Sequence, residues 1–194
     1  FNRESAKKIA EKNERRDVGH DFGTNPCSEI ILRSREFCNL SEVVVRPEDT
    51  EDSLLRKVRL ATILGTIQST LVNFKYVSKE WKKNCEEERL LGVSLTGIMD
   101  NKWTAGKING LEVLLENLKK MAVETNKEWA DKIGIKQAAA ITCVKPSGTV
   151  SQLVDSASGI HARHNPHYIR TVRGDKKDPL TKMMVEQGFP AEDD

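Results

Sequence analysis

Apolar positions recur at helical spacing over two long stretches of the chain. Between about 51 and 77, Leu54, Leu55, Val58, Ala61, Ile63, Leu64, Ile67, Leu71 and Val72 fit a period of about 3.6 residues. Pro47-Glu48-Asp49-Thr50 ahead of them offers an N-cap and an acidic first turn. A second amphipathic helix is expected over about 108–133, with Gly134 just past its end. Both stripes read as core packing. The charged stretch 3–16 is also expected to be helical, and Asp178-Pro179 opens a last helix that Gly188 stops.

Short apolar runs behave differently. Ile30-Ile31-Leu32 and Val43-Val44-Val45 suit strands, as does the run from Ala138 to Val144, which reads as a buried strand leading into Pro146-Ser147-Gly148-Thr149 and a short helix. Helix, strand, tight loop and helix in alternation indicate α/β architecture with a largely parallel sheet.

Composition changes this picture little. The 194 residues can bury one sizeable core, and 31 basic against 29 acidic residues leave a net charge of +2. That balance gives no case for nucleic acid as partner, and no apolar run is long enough to span a bilayer. The first residue is Phe1 rather than Met, and an opening already in helical pattern suggests part of a longer protein. Four cysteines (Cys27, Cys38, Cys85, Cys143) without a CxxC pair do not resemble a secreted disulfide framework, so a reducing cytoplasm is expected. Cys85, in a dense run of charge, reads as a surface thiol, and Cys143 as a strand core residue. The run Glu86-Glu87-Glu88 reads as a solvated helix face.

Candidate chemistry concentrates in two loops. In Gly23-Thr24-Asn25-Pro26-Cys27-Ser28-Glu29, an extended tip places Asn25, Cys27 and Glu29 on one face, because side chains alternate along extended backbone. Cys38, eleven residues after Cys27, can return to the same volume. An amide, a carboxylate and two thiols suit radical chemistry on a sugar, in which a thiyl abstracts hydrogen, a carboxylate takes a hydroxyl proton and a thiol pair supplies electrons. On spacing alone a buried structural cysteine is the simpler reading, and a Cys/His nucleophile pair with His20 or the later histidines as base remains open. The second loop, Lys145-Pro146-Ser147-Gly148-Thr149, follows a strand and precedes a helix, which suits an anion site as well as an ordinary turn. His161, His164 and His167 lie three apart, but Pro166 breaks the face and no metal site is expected.

Asn-Pro-Cys-Ser-Glu-Ile with a downstream Cys-Asn-Leu resembles the finger loop of ribonucleotide reductases, here about 23–42. The eleven-residue interval is similar to that of the adenosylcobalamin-dependent class II enzymes, especially the monomeric triphosphate-reducing type. The resemblance implies Cys27 as the thiyl cysteine, Glu29 as general base, Asn25 as a substrate-hydroxyl ligand and Cys38 as one member of the redox pair. It implies Ser147, Gly148 and Thr149 as phosphate ligands, with Pro146 fixing the turn of the 146–149 loop. It further implies adenosylcobalamin as cofactor, a ribonucleotide substrate, a thioredoxin-type reductant, and N- and C-terminal parts of the same enzyme beyond this chain. The implied fold is a ten-stranded α/β barrel, of which residues 1–194 supply the finger loop and units of the second half. The Arg and His residues of 158–173 resemble the stretch that follows the phosphate loop and have no assigned role. Two alternatives stand beside this reading: a class I large-subunit piece, and a nucleotide-binding barrel piece with no turnover of its own.

Overall fold

The computed structural model describes residues 3–11 and 16–193. The charged N-terminal stretch forms helix α1 over Arg3–Ala10, and the remainder of the stretch expected as helix lies partly outside the described residues. A hairpin follows, β1 (Phe22–Thr24) antiparallel to β2 (Ile31–Arg33), and Ala6 and Ala10 of α1 close over Phe22 and Ile31. Strand β3 (Asn39–Val44) then leads to helix α2 (Glu51–Gln68), helix α3 (Lys79–Glu88) and strand β4 (Leu91–Thr96). Strands β3 and β4 are parallel, with Asn39 opposite Leu91 and Val44 opposite Thr96. The helices between them are the crossover that a parallel pair requires.

Helix α2 begins where the sequence places it. Thr50 is its N-cap, and its hydroxyl and that of Ser53 satisfy each other's backbone N–H in a capping box. It ends at Gln68 rather than near 77. The Ser69 and Thr70 hydroxyls donate to the Thr66 and Ile67 carbonyls, and Leu71 finds no core to join. Helix α4 (Leu111–Ile133) starts after Gly110, at φ +95°, and stops at Gly134, at φ +77°, the left-handed residue expected there.

Parity along the strands sorts the two faces. Val43, Val45 and Val93 join Leu54, Val58 and Ala61 of α2 and Leu114, Leu118 and Ala122 of α4 in the main core. The helices therefore cover one face of the β3–β4 pair. The other face carries Leu40, Glu42, Gly92, Ser94 and Thr96 by the two-residue repeat, and the hairpin and the 145–149 loop lie on this side.

The expected strand over 138–144 needs correction. Leu91 and Val93, two apart, donate to the carbonyls of Ala140 and Ile141, one apart, so the ladder slips by a residue and only Val93 and Thr142 pair as a bridge. Ala138 and Ala139 are buried but Thr142 and Val144 are exposed. Asn126 of α4 sets the entry to this segment, accepting from the Ala138 N–H and donating to the Thr66 hydroxyl.

After helix α5 (Thr149–Leu153) the chain divides into two compact units, 1–163 and 164–194. The second contains helix α6 (Pro179–Glu186), capped by the Asp178 carboxylate, which accepts from Leu180 and Thr181 N–H groups. This is α/β architecture as expected, with a parallel strand pair backed by helices. Among the described residues no helix is long and apolar enough to cross a membrane.

Candidate active site

The hairpin tip is a turn. Asn25 and Ile30 close it, with Asn25 N–H donating to the Ile30 carbonyl at 3.3 Å and Ile30 N–H donating to Asn25 Oδ1 at 3.1 Å. Inside that frame Ser28 N–H returns to the Asn25 carbonyl at 3.0 Å, and Ser28 takes φ 62°. Alternation along an extended tip therefore does not arrange Asn25, Cys27 and Glu29. The turn puts Cys27 out at the exposed tip and folds Glu29 inward, its side chain only 1% exposed.

Glu29 is the best-defined group of the site. Its Oε1 accepts from Lys145 Nζ at 3.2 Å, while Oε2 is buried with no hydrogen-bond partner. Burial pushes the carboxyl upward, but its own backbone N–H, the Asn25 amide and the Lys145 ammonium together hold it below the usual glutamate value. It is thus a charged carboxylate at neutral pH with one acceptor oxygen unused.

Cys38 and Cys143 share a notch made by a glycine. A Cβ on Gly92 would lie 3.2 Å from each sulfur and 2.4 Å from Leu40 Cδ2, so no other residue fits β4 there without displacing its neighbours. Both thiols are pushed well up by burial, Cys38 further still by Cys143 and Glu29, and Cys143 to about 11 with Glu29 as its next cause. At neutral pH both are thiols, suited to giving up hydrogen and electrons rather than to attacking as thiolates. The site gathers Cys38 beside Cys143, a residue whose place in the sequence suggests only a strand core, and all four cysteines are free.

In the 145–149 loop Ser147 is buried with its Oγ unpartnered, while Pro146, Gly148 and Thr149 are exposed. Its backing is the 156–159 segment. Ser158 Oγ donates to the Ser147 carbonyl, and Gly159, at φ 54°, lies so close that a Cβ would come within 3.3 Å of Ser147 N and Lys145 O. The Ser151 hydroxyl donates to the Gly148 carbonyl at 2.6 Å, fixing the start of α5. Arg163 is held by Asp100 and Asp155 at 2.9 and 2.7 Å and steadies this backing segment.

Beneath the hairpin lies a buried charge network that the sequence does not announce. Arg16 donates to Glu88 at 2.6 Å, and Arg33 of β2 donates to Glu87 at 2.9 Å and approaches Glu36 and Glu88 at 3.5 and 3.6 Å. Two expectations fail here. Glu88 is 3% exposed rather than solvated, and Cys85 is buried rather than at the surface. One face of α3 packs against the 34–37 segment, where Asn84 donates to the Ser34 and Arg35 carbonyls. Burial, then the neighbouring Glu88, raises Glu36 to about 7. An acid that holds its proton more tightly folded than unfolded loses its stabilising share as pH climbs from its unfolded value, 4.5, to the folded one. Urea midpoints should accordingly fall from about pH 4.5 to about pH 7 in the wild type and stay flatter in Glu36→Gln. An equal slope in both chains would refute Glu36 as the source.

No family model matches the chain. It is 29% identical over 198 residues to the adenosylcobalamin-dependent ribonucleoside-triphosphate reductase of Lactobacillus acidophilus, covering 89% of this chain and 26% of that protein. Enzymes of the same name from Lactobacillus helveticus and Lactobacillus leichmannii are 27% and 26% identical, with the same coverage. The resemblance read from the sequence holds. The crystal structure of a B12-dependent (class II) ribonucleotide reductase superposes with a TM-score of 0.58 at 24% identity, over 72% of this chain and 22% of that one, a likeness of fold. The chain spans about a quarter of the length of these curated relatives.

Lys145 is the residue that sequence reasoning passed over. It opens the 145–149 loop, yet nothing in the sequence shows that it meets Glu29, 116 positions away.

Proposed function

We propose that this chain is part of the catalytic α/β barrel of a ribonucleotide reductase of the adenosylcobalamin-dependent class, reducing ribonucleotides, as triphosphates, at C2′. The observation that carries the reading is the buried, unpartnered Glu29 Oε2 behind the exposed Cys27, with Cys38 thiol on the same side of the sheet. The relatives' names support the cofactor and the triphosphate. In this reading the chain supplies the finger loop and strand–helix units of one barrel half.

Adenosylcobalamin, when bound, supplies the radical that Cys27 carries, and none of the described residues is assigned to hold the corrinoid. Cys27 as thiyl takes the C3′ hydrogen of the ribose. Glu29 accepts the 3′-hydroxyl proton through Oε2, which eases departure of the 2′-hydroxyl as water. Cys38 and a second thiol give two electrons and two protons and become a disulfide, C2′ ends as CH2, and Cys27 regains its radical when the hydrogen returns to C3′. Asn25 orients the substrate hydroxyls, and Pro146, Ser147, Gly148 and Thr149 form the phosphate loop. A thioredoxin-type protein in a reducing cytoplasm restores the thiols.

The direct test assays the full-length enzyme containing this chain with and without adenosylcobalamin. Strict dependence is expected. Turnover without it would overturn the cofactor assignment in favour of a class I subunit. The 194 residues alone are expected to make no deoxynucleotide, and turnover by them would refute the need for further parts.

A further inference from the structure

Lys145 joins the two loops of the site. It leaves the 139–143 segment at the start of the 145–149 loop, yet its ammonium is spent on Glu29 of the hairpin, at 3.2 Å. Its side chain is 28% exposed against 1% for Glu29, so the ion pair spans the boundary between the buried base and the open loop. It is the only cationic side chain in 145–149, and it belongs to a loop whose buried Ser147 Oγ has no hydrogen-bond partner. The other charged or titratable groups that bear on this pair are Cys27 and Glu42, which act on Lys145, and Cys38 and Cys143, which sit near Glu29. None of these is a cation, so nothing else among them can take over the role.

We infer that Lys145 is a positioning residue that couples polyphosphate binding to the base: its ammonium aims the Glu29 carboxylate while the loop is empty and is drawn toward the phosphates when the loop fills. A carboxylate whose counter-ion is withdrawn becomes a stronger proton acceptor, so substrate binding would strengthen the base at the moment it is needed. This rests on the phosphate-loop reading above.

The experiment is a titration of the Glu29 side-chain carboxyl by carbon-13 NMR in the 194-residue chain, in wild type, Lys145→Met and Lys145→Arg. Loss of the cation leaves burial less opposed, so the midpoint should rise in Lys145→Met and stay low in Lys145→Arg. Adding tripolyphosphate should raise it in wild type and move it clearly less in Lys145→Met. An unchanged midpoint in Lys145→Met would overturn the positioning role. Loop amide signals that respond to tripolyphosphate while the Glu29 midpoint stays fixed, or shifts equally in Lys145→Met, would overturn the coupling. Loop amides that ignore tripolyphosphate would instead sink the phosphate-loop reading, and the coupling with it.

Discussion

In the full-length enzyme that contains this chain, Cys27→Ser is expected to lose deoxynucleotide formation down to background while nucleotide binding stays near wild type. The hydroxyl is smaller than the thiol and sits exposed at the hairpin tip, so the Asn25–Ile30 closure and the Ser28 turn survive. What changes is bond strength: an O–H bond is much stronger than S–H, so serine cannot carry the radical that abstracts a ribose hydrogen. Binding is spared because the phosphate contacts are assigned to 146–149. Glu29→Gln should be milder, about 10²- to 10⁴-fold, the usual range for losing one general base. Its amide can still fill the pocket and accept at one oxygen. Single-turnover product analysis with radiolabelled nucleotide separates the two variants. Deoxynucleotide from Cys27→Ser would end the assignment of Cys27 as the radical site.

The candidate loop stands out in the sequence because its chemistry is compressed into five neighbouring residues, Asn25 to Glu29, and the helix ends at Thr50 and Gly134 were legible because their signals are local. Even in the loop the geometry is not the one that alternation predicts. A turn closed by Asn25 and opened by the positive φ of Ser28, rather than strand alternation, aims Glu29 inward and Cys27 outward. The interactions that hold the site together were out of reach. Lys145 meets Glu29 across 116 positions and Arg16 meets Glu88 across 72, and neither pairing leaves a periodicity. Glu88 is the instructive case: three consecutive glutamates suggest a wet surface, and two of them, Glu87 and Glu88, bind Arg33 beneath the hairpin. Charge density in a sequence cannot distinguish a solvated helix face from a buried network, because the deciding partner belongs to another element. Gly92 hid for a similar reason, since its meaning is the close approach of the Cys38 and Cys143 sulfurs.

Removing Arg33 should be the most damaging single change to stability. Its side chain is 5% exposed, donates to Glu87 and to the Asn84 carbonyl at 3.0 Å, and approaches Glu36 and Glu88 as ion-pair partners at 3.5 and 3.6 Å. Arg33→Met keeps most of the volume and deletes the charge, leaving Glu36 and Glu88 buried with Arg16 as their remaining arginine partner. Breaking one side of a buried pair costs about 3–5 kcal/mol, because the carboxylates left behind must either stay charged without compensation or take up protons. A domain with about 5–15 kcal/mol in all would lose a large share of its stability. Arg35→Ala, which breaks a half-exposed pair with Glu80, should cost at most about 1 kcal/mol. Urea unfolding of the two variants makes the comparison, and near-equal losses would show that the network carries no special weight. Arg33→Met combined with Glu88→Gln should recover part of the loss, since the double change removes one buried negative charge along with the positive one. The consequence reaches the chemistry because Arg33 ends β2, the strand that returns from the tip, and its backbone N–H is held by Glu36 at 2.9 Å. Amide exchange at Asn25 and Ile30 should therefore accelerate in Arg33→Met and not in Arg35→Ala, as the hairpin that presents Cys27 and Glu29 loses the charged floor on which it rests.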